Sequence, residues 1–149
     1  MIQFQKIAQQ KKQHLSLLLL ADEQESMIDR YLEQGTMYVM QQEETVIGVC
    51  VVLPVSETEL EVKNLAIAEE WQGNGYGRMF LEWIEKQYQG TAEWLILGTG
   101  DSPKTIPFYE KCGFVKTHSI KNFFIDNYDH PIYECGVRLT DMIYLQRAI

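Results

Sequence analysis

Cysteine is scarce in this 149-residue chain. There are three, Cys50, Cys112 and Cys135, an odd number with no close pair. That excludes a disulfide framework and points to a reducing compartment, the cytoplasm. Long apolar runs are missing as well. The run Leu17-Leu18-Leu19-Leu20 stops at Ala-Asp-Glu, whereas a membrane span needs about 20 apolar residues. No secretory leader is visible, so the run reads as a buried helix end and no membrane is expected. Basic residues are few: 13 Lys and Arg stand against 21 Asp and Glu, a formal net charge of -8. This argues against nucleic acid as a partner and leaves room for a cationic one. His14, His118 and His130 have no metal-ligand spacing, and no metal is expected. Internal repeats, low-complexity tracts and linkers are also absent.

What is present is an ordinary globular composition, 46% hydrophobic and 11% aromatic, in a length that suits one domain, residues 1–149. Residues 2–7 alternate like a strand, and 8–20 look helical. Asp22, with Glu25 three residues later, resembles a helix start, and Met27, Ile28, Tyr31 and Leu32 share a helical face that Gly35 ends. Residues 36–41, 45–55 and 59–68 read as three strands. Met79, Phe80, Trp83, Ile84 and Tyr88 then recur at helical spacing up to Gly90. Residues 93–97 read as a strand and 103–112 as a short helix, with Pro103 in its first turn and Gly113 as C-cap. The remainder reads as strands around a loop at 126–131, the last strand being 137–145. This order predicts an α/β domain, one mixed, mostly antiparallel sheet flanked by helices.

Between the third of those strands and the helix lies Glu-Glu-Trp-Gln-Gly-Asn-Gly-Tyr-Gly-Arg-Met, residues 69–79. Free backbone amides and a positive helix end meet there, and glycine lets a ligand come close. By itself this is a tight turn or an anion site. An NTPase loop is excluded, because the sixth position from Gly73 is Arg78 and no Lys-Ser or Lys-Thr follows. A dinucleotide fingerprint fails at the same place. The segment Gln72-Gly73-Asn74-Gly75-Tyr76-Gly77 instead resembles the Q/R-x-x-G-x-G/A loop of the GNAT superfamily of acyl-CoA-dependent N-acyltransferases. Asn64-Leu65-Ala66-Ile67 before it and Pro107-Phe108-Tyr109-Glu110-Lys111-Cys112-Gly113-Phe114 after it resemble that family's flanking segments. The likeness runs from about residue 36 to 117.

The resemblance implies transfer of an acetyl group from acetyl-CoA to an amine, by direct attack. The amine must be neutral, although near pKa ~10 it is mostly protonated, and the thioester carbonyl needs donors as it becomes an oxyanion. Glu61 is the candidate base, with Glu59 its competitor; strict alternation would put residues 59, 61, 63, 65 and 67 on one face. Tyr109 is the candidate acid for the leaving thiolate, and the Ile67 amide the candidate oxyanion donor. For coenzyme A the resemblance points to Leu65, Ala66 and Ile67, to Gln72 through Arg78, and to Lys111. Relatives often carry Asn where this chain has Ser102, so a hydroxyl would replace an amide against the pantetheine. Cys112 reads as a buried thiol rather than a nucleophile. Asp126, Asp129, His130 and Glu134, among Phe123, Phe124, Tyr128 and Tyr133, form a candidate wall for a cationic amine. The acceptor would be a small molecule or a peptide amine, and family members are often homodimers. The rival reading is an acyl-CoA-binding or regulatory domain without turnover.

Overall fold

The structure, a computed structural model, describes residues 1–149. Its frame is a seven-stranded sheet of β1 (Ile2–Ile7), β2 (Thr36–Gln42), β3 (Thr45–Pro54), β4 (Glu59–Ile67), β5 (Trp94–Gly100), β6 (Val115–Ile120) and β9 (Met142–Ala148). The order is β1-β2-β3-β4-β5-β9-β6. All neighbours are antiparallel except β4 and β5, which run parallel. A separate hairpin pairs β7 (Tyr133–Glu134) with β8 (Val137–Arg138).

Successive residues of the central strands feed two cores on opposite faces, as period-two alternation requires. Tyr38, Met40 and Cys50 join Phe80, Leu81 and Ile84 of α3 (Tyr76–Tyr88) and Ile106 of α4 (Thr105–Lys111) on one face. Met37, Val39, Val49 and Val51 join Leu18 of α1 (Leu15–Ala21) and Ile28 of α2 (Glu25–Ile28) on the other. A fully buried side chain of this size contributes about 1.5–3 kcal/mol, so these two layers hold the sheet between its helices. Helix α3 starts where Gly75 takes a left-handed φ of 85° and stops before Gly90, at φ 82°. Its apolar stripe follows the 3.6-residue period read in the sequence.

Several local expectations are corrected. Asp22 does not start α2: it ends α1, its amide donating to the Leu18 carbonyl (3.1 Å), and the residue before α2 is Gln24, which makes no side-chain cap bond. Asp22 instead accepts the hydroxyls of Tyr31 (3.0 Å) and Tyr128 (2.6 Å), which tie the start of the chain to its last quarter. The segment after β6 contains a short helix, α5 (Phe123–Asn127), and the hairpin, so the last strand begins at Met142 rather than 137. Strand β5 continues beyond residue 97 to Gly100, because β9 pairs with it along its whole length.

The end of the α2 segment is closed by an unusual cap. Lys11 is buried at 8% exposure, and its ammonium donates to the carbonyls of Leu32 (2.8 Å) and Gly35 (2.7 Å). A cation suits carbonyls at a helical C-terminus. Lys11→Met keeps most of the stem packing but strands two buried acceptors. It should cost about 2–4 kcal/mol, read as a lower urea midpoint at unchanged slope.

Candidate active site

The sheet opens in its middle. Strands β4 and β5 pair only from Glu59–Trp94 to Val62–Leu97, and then separate. Opposite the end of that pairing, Val51 faces Asn64 while Val52 faces Val62, so Lys63 is an extra residue, a β-bulge. The bulge reverses which face each later residue takes. Leu65 and Ile67 pack toward the α3 side, and Ala66 lies in the opposite core. The expectation that 59 through 67 keep one alternating face is therefore corrected: Glu61 and Ile67 lie on opposite faces.

The same register decides where the backbone points. The Ala68 amide donates to the Ile47 carbonyl (2.8 Å). Pairs 47/68 and 49/66 are thus the hydrogen-bonded ones, and 48/67 and 50/65 are not. The amides of Leu65 and Ile67 consequently turn from β3 toward the gap that β5 has left. The Ile67 carbonyl is taken by Gln72 Nε2 (2.8 Å), which pins the glycine loop to β4. Asn74 Nδ2 bonds the carbonyls of Trp71 and Gln72 and closes that loop on itself.

A cavity of about 690 Å³ occupies the gap. One end is the loop. Gly73 and Gly75 have φ of 78° and 85°, and a Cβ on either would meet no atom within 4 Å. Their backbone faces open space, and the first amides of α3 have no side-chain cap, which is the requirement for an anion site. Arg78 and Lys111 line the same end; Arg78 also pairs with Glu82 (3.2 Å) along the helix. Midway, Tyr109 lines the wall. Burial chiefly, and then the neighbouring Cys50, Cys112 and Glu134, push its hydroxyl well above the usual tyrosine range. Burial likewise raises Cys112, against Arg78 and Arg147, so its thiol stays protonated. The far end is acidic and aromatic, with Asp22, Glu23, Glu134, Phe124 and Tyr128.

The cavity wall thus brings together Leu65, Ala66, Ile67, Gln72, Gly73, Gly75, Tyr76, Gly77, Arg78, Tyr109 and Lys111, which the sequence singled out. Three expected residues stand apart. Asn74 shapes the loop from outside the wall. Ser102 is 2% exposed and accepts the Lys104 amide (3.1 Å) instead of facing the cavity. Glu61 is 8% exposed and off the wall, paired with Lys63 (3.1 Å) and approached by the Tyr144 hydroxyl (3.4 Å). Of the expected acidic wall, Glu134 lines the cavity, while Asp126, Asp129 and His130 are left outside it. Asn64 is a site residue with no signal of its own in the sequence. It lines the cavity, its Nδ2 is held by the Leu18 carbonyl (3.0 Å) and Tyr31 Oη (3.1 Å), and its Oδ1 is buried with no donor.

Comparison with known proteins agrees with this geometry. A model of the acetyltransferase (GNAT) domain matches residues 33–116. The "Uncharacterized N-acetyltransferase YvbK" of Bacillus subtilis (strain 168) is 36% identical over 131 residues, 87% of this chain and 84% of that one. A GNAT family acetyltransferase from Elizabethkingia anophelis, solved with acetyl-CoA bound, superposes with a TM-score of 0.93 at 35% identity, over 99% of this chain and 98% of that one. An IAA acetyltransferase from Bacillus cereus ATCC 14579 gives 0.92 at 34% identity over the whole of both chains. A split sheet, a glycine loop pinned to the strand before it, and these likenesses over nearly every residue place the chain in the GNAT family of acetyltransferases.

Proposed function

We propose that residues 1–149 form one N-acetyltransferase domain that moves the acetyl group of acetyl-CoA directly to a primary amine. The observation that carries this reading is the shared cavity: free amides at the start of α3, the inward amides of Leu65 and Ile67, and the Tyr109 hydroxyl all border one space. The pyrophosphate of the coenzyme would lie on the loop from Gln72 to Arg78, with Lys111 nearby, and the pantetheine would run along Leu65, Ala66 and Ile67. The Ile67 amide would donate to the thioester oxygen as it gains charge. Tyr109, held protonated by its surroundings, would give its proton to the leaving sulfur.

A carboxylate must take the proton of the acceptor ammonium. The resemblance gives that step to Glu61. Lys63 occupies its carboxylate, so Glu61 would have to act through a water. The acceptor would enter at the end lined by Asp22, Glu23 and Glu134. This favours a cationic small amine over a peptide end. Three unpaired cysteines, two of them buried, fit a cytoplasmic protein, and no helix is long and apolar enough to cross a membrane. A homodimer is the assembly the resemblance suggests.

Acetyl-CoA should raise the melting temperature, as any ligand selective for the native state does, and NAD or ATP should not. A panel of amines with thiol detection then separates this reading from a domain that binds acyl-CoA without turnover. Binding with no thiol release for any amine would favour the second.

A further inference from the structure

We propose that Glu134, rather than Glu61, is the general base of this enzyme: its carboxylate touches the acceptor nitrogen and takes its proton. The inference rests on the transferase reading above, and it starts from how the chain delivers this one side chain.

Glu134 closes a two-residue hairpin. Cys135 and Gly136 both have left-handed φ, 53° and 77°, the geometry that joins tightly twisted strands. Below the hairpin, the Leu139 amide donates to the Ile132 carbonyl (2.8 Å). Ile132 and Leu139 are buried with Phe124. A rigid, anchored turn therefore carries a half-buried carboxylate to the cavity wall. Glu61 has the opposite setting, behind Lys63 and off the wall. A base must come within hydrogen-bond reach of the proton it removes, directly or through one water, and among the two only Glu134 borders the space where the nitrogen lies.

The groups facing Glu134 come from several elements. Lys104 and Ser102 precede α4, Tyr109 stands on α4, and Asp22 and Glu23 lie between α1 and α2, with His130 on the far side of Glu23 (3.9 Å). Burial raises the Glu134 carboxyl above the ordinary range; Lys104 lowers it, Glu23 raises it and the Ser102 hydroxyl lowers it again. A base with a raised pKa is a stronger proton acceptor at neutral pH, and its ionised form is lost at a higher pH than for an ordinary carboxylate.

Glu134 takes one proton from the ammonium and later yields it to solvent. The nitrogen lone pair forms the C–N bond, the C–S bond breaks with its electron pair on sulfur, and sulfur takes the proton of Tyr109. The second nitrogen proton, shed as the amide forms, restores Tyr109.

The test compares Glu134→Gln and Glu61→Gln in amine-dependent thiol release across pH, using one amine that the wild type accepts. For Glu134→Gln, kcat/KM for the amine should fall about 10²-fold and its acidic limb should vanish, with the acetyl-CoA Kd unchanged. Glu134→Asp should restore part of the rate and the limb. Glu61→Gln should keep the limb. If Glu134→Gln binds acetyl-CoA normally and keeps both rate and limb, or if Glu61→Gln is the variant that loses the limb, the assignment of Glu134 is overturned while the transferase reading stands. A wild type that binds acetyl-CoA and releases no thiol with any amine overturns both.

Discussion

Tyr109→Phe should lower kcat about 10²-fold with every accepted amine while leaving the Kd for acetyl-CoA unchanged. The substitution removes one oxygen. The ring keeps its edge contacts with Phe108, centroid to centroid 5.0 Å, and with Phe114, 5.7 Å, so the folded wall survives. What is lost is the proton given to sulfur, which exists only in the transition state, and an interaction of that kind shows in kcat rather than in ground-state binding. The pH profile gives a second readout. An acid works while it is protonated, and burial raises the Tyr109 pKa. The basic limb of kcat should therefore lie above the range near pH 10 where an ordinary tyrosine titrates, and Tyr109→Phe should abolish it. A variant with wild-type kcat would remove Tyr109 from the reaction.

Gly75→Val should weaken acetyl-CoA binding about 10²-fold, which corresponds to about 2.7 kcal/mol. Two effects combine. At φ 85° a β-branched residue is strained by about 1–3 kcal/mol, and relieving that strain moves the first amides of α3. The new side chain also fills the open space in front of the loop, where a Cβ meets no protein atom. The loop lies outside both cores, so the urea midpoint should fall by no more than the strain. Calorimetric titration with acetyl-CoA measures the first effect and denaturation the second. Wild-type affinity in Gly75→Val would mean that the phosphates are held elsewhere. Gly77 makes a useful contrast: its Cβ would lie 3.0 Å from the Phe108 ring, so substitution there disturbs the packing of α3 on α4 as well.

The strands and α3 were legible because their signals are local. The β-branched, strand-forming runs between 36 and 67 and the spacing of Phe80, Trp83, Ile84 and Tyr88 depend on residues within a few positions of each other. The glycine loop was legible by spacing, and its flanking segments carried the family. The bulge at Lys63 was not, since an extra residue in a strand has no composition of its own, yet it turns Leu65 and Ile67 to the face opposite Glu61. Asp22 looked like a cap by its local pattern, but one of its partners, Tyr128, is 106 residues away. The final quarter was read as plain strands, because α5 and the hairpin are only five and two residues per element, too short to show a period. Glu134 was noticed only as one of several acidic loop residues. Its place on the cavity wall follows from the Cys135–Gly136 turn and from the Phe124, Ile132 and Leu139 cluster beneath it, and neither is visible as a local pattern.

The central claim is direct transfer from bound acetyl-CoA to an amine. A quenched single-turnover experiment, with enzyme in excess over acetyl-CoA and mass analysis of both protein and product, tests it most directly. The account predicts no thiol release without amine. With amine, it predicts free thiol and N-acetyl product appearing together in equal amounts, on a protein of unchanged mass. Thiol released before any amine is added, with an acetyl group left on the protein, would contradict it.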